Sequence, residues 1–389
     1  MRWWRPVWNR LKDKSTIVTL LFVVSSGVTV GMVPTIAEAL LDTGSRPYLG
    51  RYWTLAGIAA FIAVGCWTYR IDRGVGVVVQ LFPNATLDVQ RLEKLRATAR
   101  QRQGSAFTIH PARHLGDAPE NAGARVALAA HEIGARVAEA VHGGREGEVY
   151  LYPLAMMPDG FKLGAALRTQ EFDLLEVMHV SRKKNRRVVP GVVLSDELEK
   201  RLSDIQTRVL LTRFARTTAE PELVSLRTCP EPARRRLAVV ANVTGDRTMQ
   251  HDAEHVITHG TTEVAGEQDD DGVITYRHTG YALQRDSPQG PQAGAYVAID
   301  LSREPLTERP RWFGRAVRHV FTVADRVRNE WARTTAQDPR DVEILLFISA
   351  PVAIVIALGW ALSRWKVDVV RHNLGLAGRT RTERRPETL

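Results

Sequence analysis

The sequence predicts two N-terminal transmembrane α-helices followed by an α/β domain, built as two tandem, pseudo-symmetric Rossmann-like units. Three observations predict it. Two uncharged apolar runs, Ile17–Ile36 and Tyr52–Tyr69, precede a chain that is otherwise polar enough to be globular. Strand-like and helix-like stretches then alternate, which implies a parallel sheet covered on both faces. The pattern also occurs twice: Glu148-Val-Tyr-Leu-Tyr-Pro-Leu-Ala155 lies on Glu343-Ile-Leu-Leu-Phe-Ile-Ser-Ala350 without a gap.

The first run, at about 1.5 Å per residue, is long enough to cross a hydrocarbon core of roughly 30 Å. Ala37-Glu-Ala39 fits the small-x-small pattern of a signal-peptide cleavage site. The run is too long for the apolar stretch of a signal peptide, however, and a second apolar run follows it instead of a soluble domain. Trp3, Trp4 and Trp8 precede the first run, and Tyr48, Tyr52, Trp53, Trp67 and Tyr69 flank the second, as interfacial aromatic belts do. Arg2, Arg5, Arg10, Lys12 and Lys14 lie before the pair and Arg70 and Arg73 after it, while the short connection holds only Arg46 and Arg51. The positive-inside rule then sets both termini in the cytoplasm, as a two-pass protein of a bacterial inner membrane. A third apolar run, Ile344–Leu362, is split by Pro351, and a crossing there would export a basic tail. It reads as a buried strand followed by a buried helix. Gly27/Gly31 and Ala59/Ala63 offer small-residue faces for close helix packing in lipid.

The duplication extends beyond the matched strands. At the same offset Gly164-Ala-Ala-Leu167 meets Gly359-Trp-Ala-Leu362, and Phe172-Asp-Leu-Leu175 meets Val367-Asp-Val-Val370. Each copy is preceded by a long helical stretch, Ala124–His142 and Arg311–Ala332. Further upstream of each lie a strand and a helix: Val75–Phe82 with Leu87–Arg100, and Arg236–Thr244 with Met249–His259. The expected organisation is a membrane region over 1–74 and a first unit over 75–180. A helical linker or insertion follows over 181–235, then a second unit over 236–375 and a basic tail over 376–389. Gly266–Gly294, rich in Asp, Gly and Gln, reads as an exposed hairpin or loop.

Several function classes are excluded. The only cysteines are Cys66 and Cys229, so neither a zinc ribbon nor a disulfide framework is expected. No G-x-G-x-x-G follows either first strand, which disfavours a dinucleotide cofactor, and no cofactor is expected. Ser349 lacks the G-x-S-x-G elbow of a hydrolase, and no Ser/His/Asp or Cys/His set is present. His251, His255 and His259 share a helix face but lack completing ligands, so they read as a solvated helix start rather than a metal site. Asp269-Asp-Asp271 and Arg182-Lys-Lys-Asn-Arg-Arg187 read as solvated charge runs, and no direct DNA binding is expected. The net charge of +10 fits two readings: basic flanks of membrane helices in an Arg-preferring chain, or an anionic ligand or partner.

The stretch Val342-Glu-Ile-Leu-Leu-Phe-Ile-Ser-Ala-Pro351, the apolar helix with Gly359, and Lys366-Val-Asp-Val-Val370 resemble the C-terminal end of a SAVED domain. The first copy departs from the family with Met156-Met157-Pro158 at its turn. The resemblance implies a fused pair of CARF-like units that senses a cyclic oligonucleotide, a cyclic trinucleotide or dinucleotide, in CBASS antiphage systems. It further implies a homo-oligomer formed on ligand binding, with the two N-terminal helices acting on the lipid bilayer as effector. A membrane-anchored enzyme degrading a cyclic nucleotide messenger and a passive membrane scaffold are the alternatives.

Open parallel sheets bind ligands beyond the carboxyl ends of their strands. The expected site is therefore a cleft between the two units. It takes Asn84 and Thr86 from the first strand-to-helix junction, and Thr244, Gly245, Asp246 and Arg247 from the second. Tyr152, Ser349 and Pro351 join it from the matched strands, with Arg247 for a phosphate and Tyr152 for a base.

Overall fold

The computed structural model describes residues 57–62 and 74–384, except 83–88, 104, 143–147, 182–186, 227–228, 232, 245–247, 269–272, 283–289, 302, 305, 307–309 and 373–375. The first unit is a sheet of β1 (Val75–Gln80), β2 (Ser105–Ile109), β3 (Glu148–Leu154), β4 (Leu174–Val180) and β5 (Val188–Leu194). Its order is β2-β1-β3-β4-β5; the first four strands are parallel and β5 is antiparallel. Crossovers run through α1 (Val89–Arg102), α2 (Ala122–His142) and α3 (Met157–Leu167).

After α4 (Asp204–Phe214) and the short β6 (Val224–Ser225), the second unit repeats the plan. It begins with β7 (Arg236–Asn242) and α5 (Met249–His259), and passes through the hairpin of β8 (Glu263–Gln268) and β9 (Val273–His278) and the short β10 (Tyr281–Ala282). The sheet then continues with β11 (Ala295–Asp300), α6 (Pro310–Thr334), β12 (Glu343–Ser349), α7 (Val352–Ala361) and β13 (Lys366–Val369). The order β13-β12-β7-β11-β6 is that of the first sheet's β4-β3-β1-β2, with β6 added antiparallel at the other edge. Val149 stands beside Val75 and Ile344 beside Leu237, so the matched strands share one register relation to their first strands.

The duplication is therefore structural, with corrections to its reading from sequence. A fourth parallel strand, β2 or β11, completes each unit. Both are half-exposed: β11 alternates buried and partly buried residues, and β2 buries only Ile109. The ungapped match fails after the helices. Glu148 pairs with Leu174 but Glu343 pairs with Lys366, so Lys366 rather than Val369 takes the place of Leu174. The segment 181–235 is more than a linker, since it supplies an edge strand to each sheet and helix α4. Within the expected basic tail, β15 (Thr380–Arg384) pairs with β9 in a small antiparallel sheet, β15-β9-β8, and Arg381 bridges to Glu263 at 2.7 Å.

The apolar run Ile344–Leu362 is a strand and a helix at the centre of the molecule. Ile354, Val355, Ile356, Ala357 and Leu358 are all fully buried, since α7 is apolar on every face. Each of its larger aliphatic side chains contributes about 1.5–3 kcal/mol by leaving water. Among the described residues no helix is long and apolar enough to cross a membrane. The expected spans lie outside the described residues except for 57–62, which are helical, with Ala59 buried and Phe61 exposed. Gly27, Gly31 and Ala63 also lie outside the described residues.

Candidate ligand site at the shared carboxyl edge

The two units meet through α3 and α7. A Cβ on Gly164 would collide with the main-chain carbonyl of Ile356, and one on Gly359 with that of Phe161. Phe161 and Ile356 occupy matching places in the two copies, as do the two glycines, so the contact is reciprocal about a pseudo-twofold axis. The helices run side by side in the same direction. Gly160, in the first turn of α3, faces Val352 and Ile356, and Arg168, at the far end, lies 5.3 Å over the Trp360 ring. Both helices start at the carboxyl ends of their strands, so parallel packing turns the carboxyl edges of both sheets to one side of the molecule. Arg168 also pairs with Asp196 at 3.0 Å and with Glu199, tying α3 to the segment between the units.

On that side the second unit is polar. β7 and β12 stay paired to their carboxyl ends, from which the chain leaves towards β11 on one side and β13 on the other, the place where ligands of open sheets sit. There the hydroxyls of Thr244 and Ser349 hydrogen-bond each other, and the Val243 N–H donates to the Ser349 carbonyl at 2.8 Å. Pro351 caps α7 without a side-chain hydrogen bond and is half-buried. The corresponding edge of the first unit is apolar. Leu81 and Phe82 both donate their N–H groups to the Leu154 carbonyl, and Phe82 takes the place of Thr244.

Arg371, which the sequence expectation omits, lies at the same edge. It lies in β14 (Arg371–His372), which pairs with β10, and its guanidinium reaches the Met156 sulfur across the units at 3.8 Å. Its signal was positional: it follows β13 with one residue between them, at a carboxyl edge. Asp159, in the first turn of α3, completes the charged set. Burial raises its carboxyl above the usual aspartate range, and the positive charges of Arg125, Lys162 and Arg371 oppose that shift. Beside Arg371, His372 packs edge-on against Tyr281 at 4.8 Å, and Tyr281 against Phe347 at 5.1 Å.

The expected residues divide into three groups. Thr244, Ser349 and Pro351 come together at the second unit's edge. Asn84, Thr86, Gly245, Asp246 and Arg247 lie outside the described residues, with 245–247 directly following Thr244. Tyr152 is placed elsewhere: its ring is fully buried, its hydroxyl donates to Gln103 Oε1 at 2.7 Å, and burial pushes its pKa up to about 12. A ring without exposed surface offers no face to a base, so the stacking role expected for Tyr152 does not fit this placement. The histidines of α5 are accounted for locally. His255 lies 3.0 Å from the Glu263 carbonyl and stacks on His259, and among the described residues no cluster could hold a metal ion.

No family model matches the chain, and no curated protein matches it. Solved structures similar to it include the Acinetobacter baumannii Cap4 SAVED/CARF-domain containing receptor with the cyclic trinucleotide 3'3'3'-cAAA, at 12% identity and a TM-score of 0.37, over 82% of this chain and 52% of that chain. The same receptor with the cyclic trinucleotide 2'3'3'-cAAA matches at 12% identity and a TM-score of 0.35, over 85% of this chain and 60% of that one. A further structure of the receptor matches at 11% identity and a TM-score of 0.35, over 89% and 62%. The chain thus spans between 52% and 62% of the length of these structures.

Proposed function

We propose that this chain is a membrane-anchored, SAVED-like receptor. It takes a cyclic oligonucleotide at the shared carboxyl edge, assembles on binding, and disturbs the inner membrane through its two N-terminal helices as an antiphage effector. The observation that carries the reading is the parallel, reciprocal packing of α3 on α7, which turns two equivalent sheet edges to one side. A cyclic oligonucleotide has repeating phosphates and bases, and two related edges suit such a ligand. The Thr244 and Ser349 hydroxyls and the Arg371 guanidinium are hydrogen-bond donors of the kind that hold phosphates. They supply binding rather than a nucleophile with its base, so the proposal is recognition without turnover. The sequence likeness over Val342–Val370 supports the family assignment, and the uncharged runs at Ile17–Ile36 and Tyr52–Tyr69 support the anchor.

Two uncharged helices from one chain do not line a water-filled pore. Action on the bilayer therefore needs several copies brought together, at an effective concentration set by the assembly. The test is calorimetric titration of the full chain in detergent with a panel of cyclic di- and trinucleotides, followed by particle sizing with and without the ligand that binds. Saturable binding with growth in particle size is expected. Absence of binding across the panel overturns the receptor, and binding at constant size overturns gating by assembly. A reporter fused at Leu389 should read as cytoplasmic; a periplasmic reading overturns the two-pass topology.

A further inference from the structure

At the carboxyl end of β11, where α6 begins, α4 and α6 flank an open groove of about 440 Å³ lined by Arg208, Val209, Thr212, Arg213 and Trp312. Its floor is Trp312, which is 4% exposed and packs edge-on against Phe214 at 5.0 Å. Three guanidiniums lie over the indole: Arg213 and Arg311 at 5.3 Å and Arg315 at 5.0 Å from the ring centre. Among the described residues no carboxylate pairs with Arg208, Arg213, Arg311 or Arg315. Their neighbours, in contrast, are engaged: Arg216 pairs with Asp300 at 3.4 Å and Arg318 donates to the Lys200 and Arg201 carbonyls. After Arg311 the first carboxylate along α6 is Asp325. Like charges gathered around one ring repel each other unless anions come between them.

The same surface carries an apolar feature. Ile205 is 76% exposed and Val209 is 45% exposed, one helical turn apart on α4, while Leu210, Leu211 and Phe214 of that helix are buried. A free phosphate would account for the arginines but leave the two aliphatic side chains in water. A bilayer bearing anionic headgroups accounts for both, with guanidiniums on lipid phosphates and aliphatic side chains in the acyl boundary. We propose that the α4–α6 face docks on an anionic phospholipid surface, with Trp312 holding the arginines in place beneath it. Cation–π contact with the indole fixes the guanidiniums while leaving their N–H groups to phosphate oxygens.

The test uses the full chain with Cys66 and Cys229 replaced by serine and Ile205→Cys carrying an environment-sensitive fluorophore. The chain is reconstituted into vesicles of phosphatidylcholine alone or of phosphatidylcholine with phosphatidylglycerol. In the anionic vesicles a blue shift with an about threefold rise in emission is expected, quenched by brominated acyl chains. Arg208→Gln with Arg213→Gln should remove the response while circular dichroism stays unchanged, as exposed positions allow. An unresponsive probe, or an equal response in phosphatidylcholine alone, overturns the proposal. So does an equal response to soluble glycerol phosphate in phosphatidylcholine vesicles, which would mark a pocket for free phosphate. The nucleotide titration does not enter this readout, so failure here and failure of the receptor reading are told apart.

Discussion

The two units share one strand order and one reciprocal helix contact, but their carboxyl edges differ in chemistry. Where the second unit places Thr244 and Ser349, hydroxyl to hydroxyl, the first places Phe82 and Leu154. Where the second fills its strand with Phe347, the first uses Tyr152 and must satisfy its hydroxyl with Gln103. The asymmetry runs the other way in the helices: Asp159 begins α3, and Ile354, fully buried, takes its place in α7. Duplication thus supplies the frame twice, while each copy keeps polar groups where the other has become core. The ligand proposed for this edge would therefore meet two unlike half-sites, with the hydroxyls coming from the second unit and the carboxylate from the first.

The strongest way to break the comparison is to attack what the two units share. Gly164→Val and Gly359→Val each drive a side chain into a facing carbonyl, and each should cost about 3 kcal/mol or more in guanidinium unfolding of the full chain. Stability unchanged in either would remove the reciprocal contact. Next in size is the group that crosses between units: Arg371→Ala should weaken the cyclic nucleotide that binds by about 30-fold in calorimetry. The unlike half-sites are then separated by two variants. Thr244→Val with Ser349→Ala should lower affinity about tenfold. Tyr152→Phe should leave affinity unchanged and cost about 1 kcal/mol of stability, because Gln103 Oε1 loses its donor. A loss of affinity in Tyr152→Phe would return that residue to the site.

The smallest effect is pH-dependent. Because burial raises the Asp159 carboxyl in the folded protein, its stability contribution is fully present below the unfolded aspartate pKa and is lost as pH rises through the folded value. Asp159→Asn should therefore be more stable than the parent chain at neutral pH, with the difference vanishing toward pH about 3. A variant less stable than the parent at neutral pH, its deficit closing on acidification, would mean that Arg125, Lys162 and Arg371 outweigh burial.

Apolar periodicity and internal likeness made much of this fold legible. Glu343–Ser349 and Val352–Ala361 were recoverable because continuous apolar runs broken by a proline leave few alternatives to a buried strand and helix. The matched glycines at 164 and 359 were visible as a repeat, but nothing local says that each abuts the other helix. That is a relation between distant segments, decided when two helix backbones pack in contact. Strands β2 and β11 escaped because half-exposed strands carry a weak pattern, and the edge strands β5 and β6 because sheet edges recruit whatever chain passes. The placement of Thr244, Ser349 and Pro351 at a carboxyl edge was legible because each ends an apolar strand or closely follows one. Arg371 required knowing that β14 returns to Met156, and the burial of Tyr152 required knowing which face of β3 meets α1. The sequence by itself determined which segments are apolar enough to form the layers, and that the layers come twice. Only the tertiary structure decided which side chains of those layers reach a common edge, because strand neighbours and helix contacts depend on the whole chain's packing and not on local spacing.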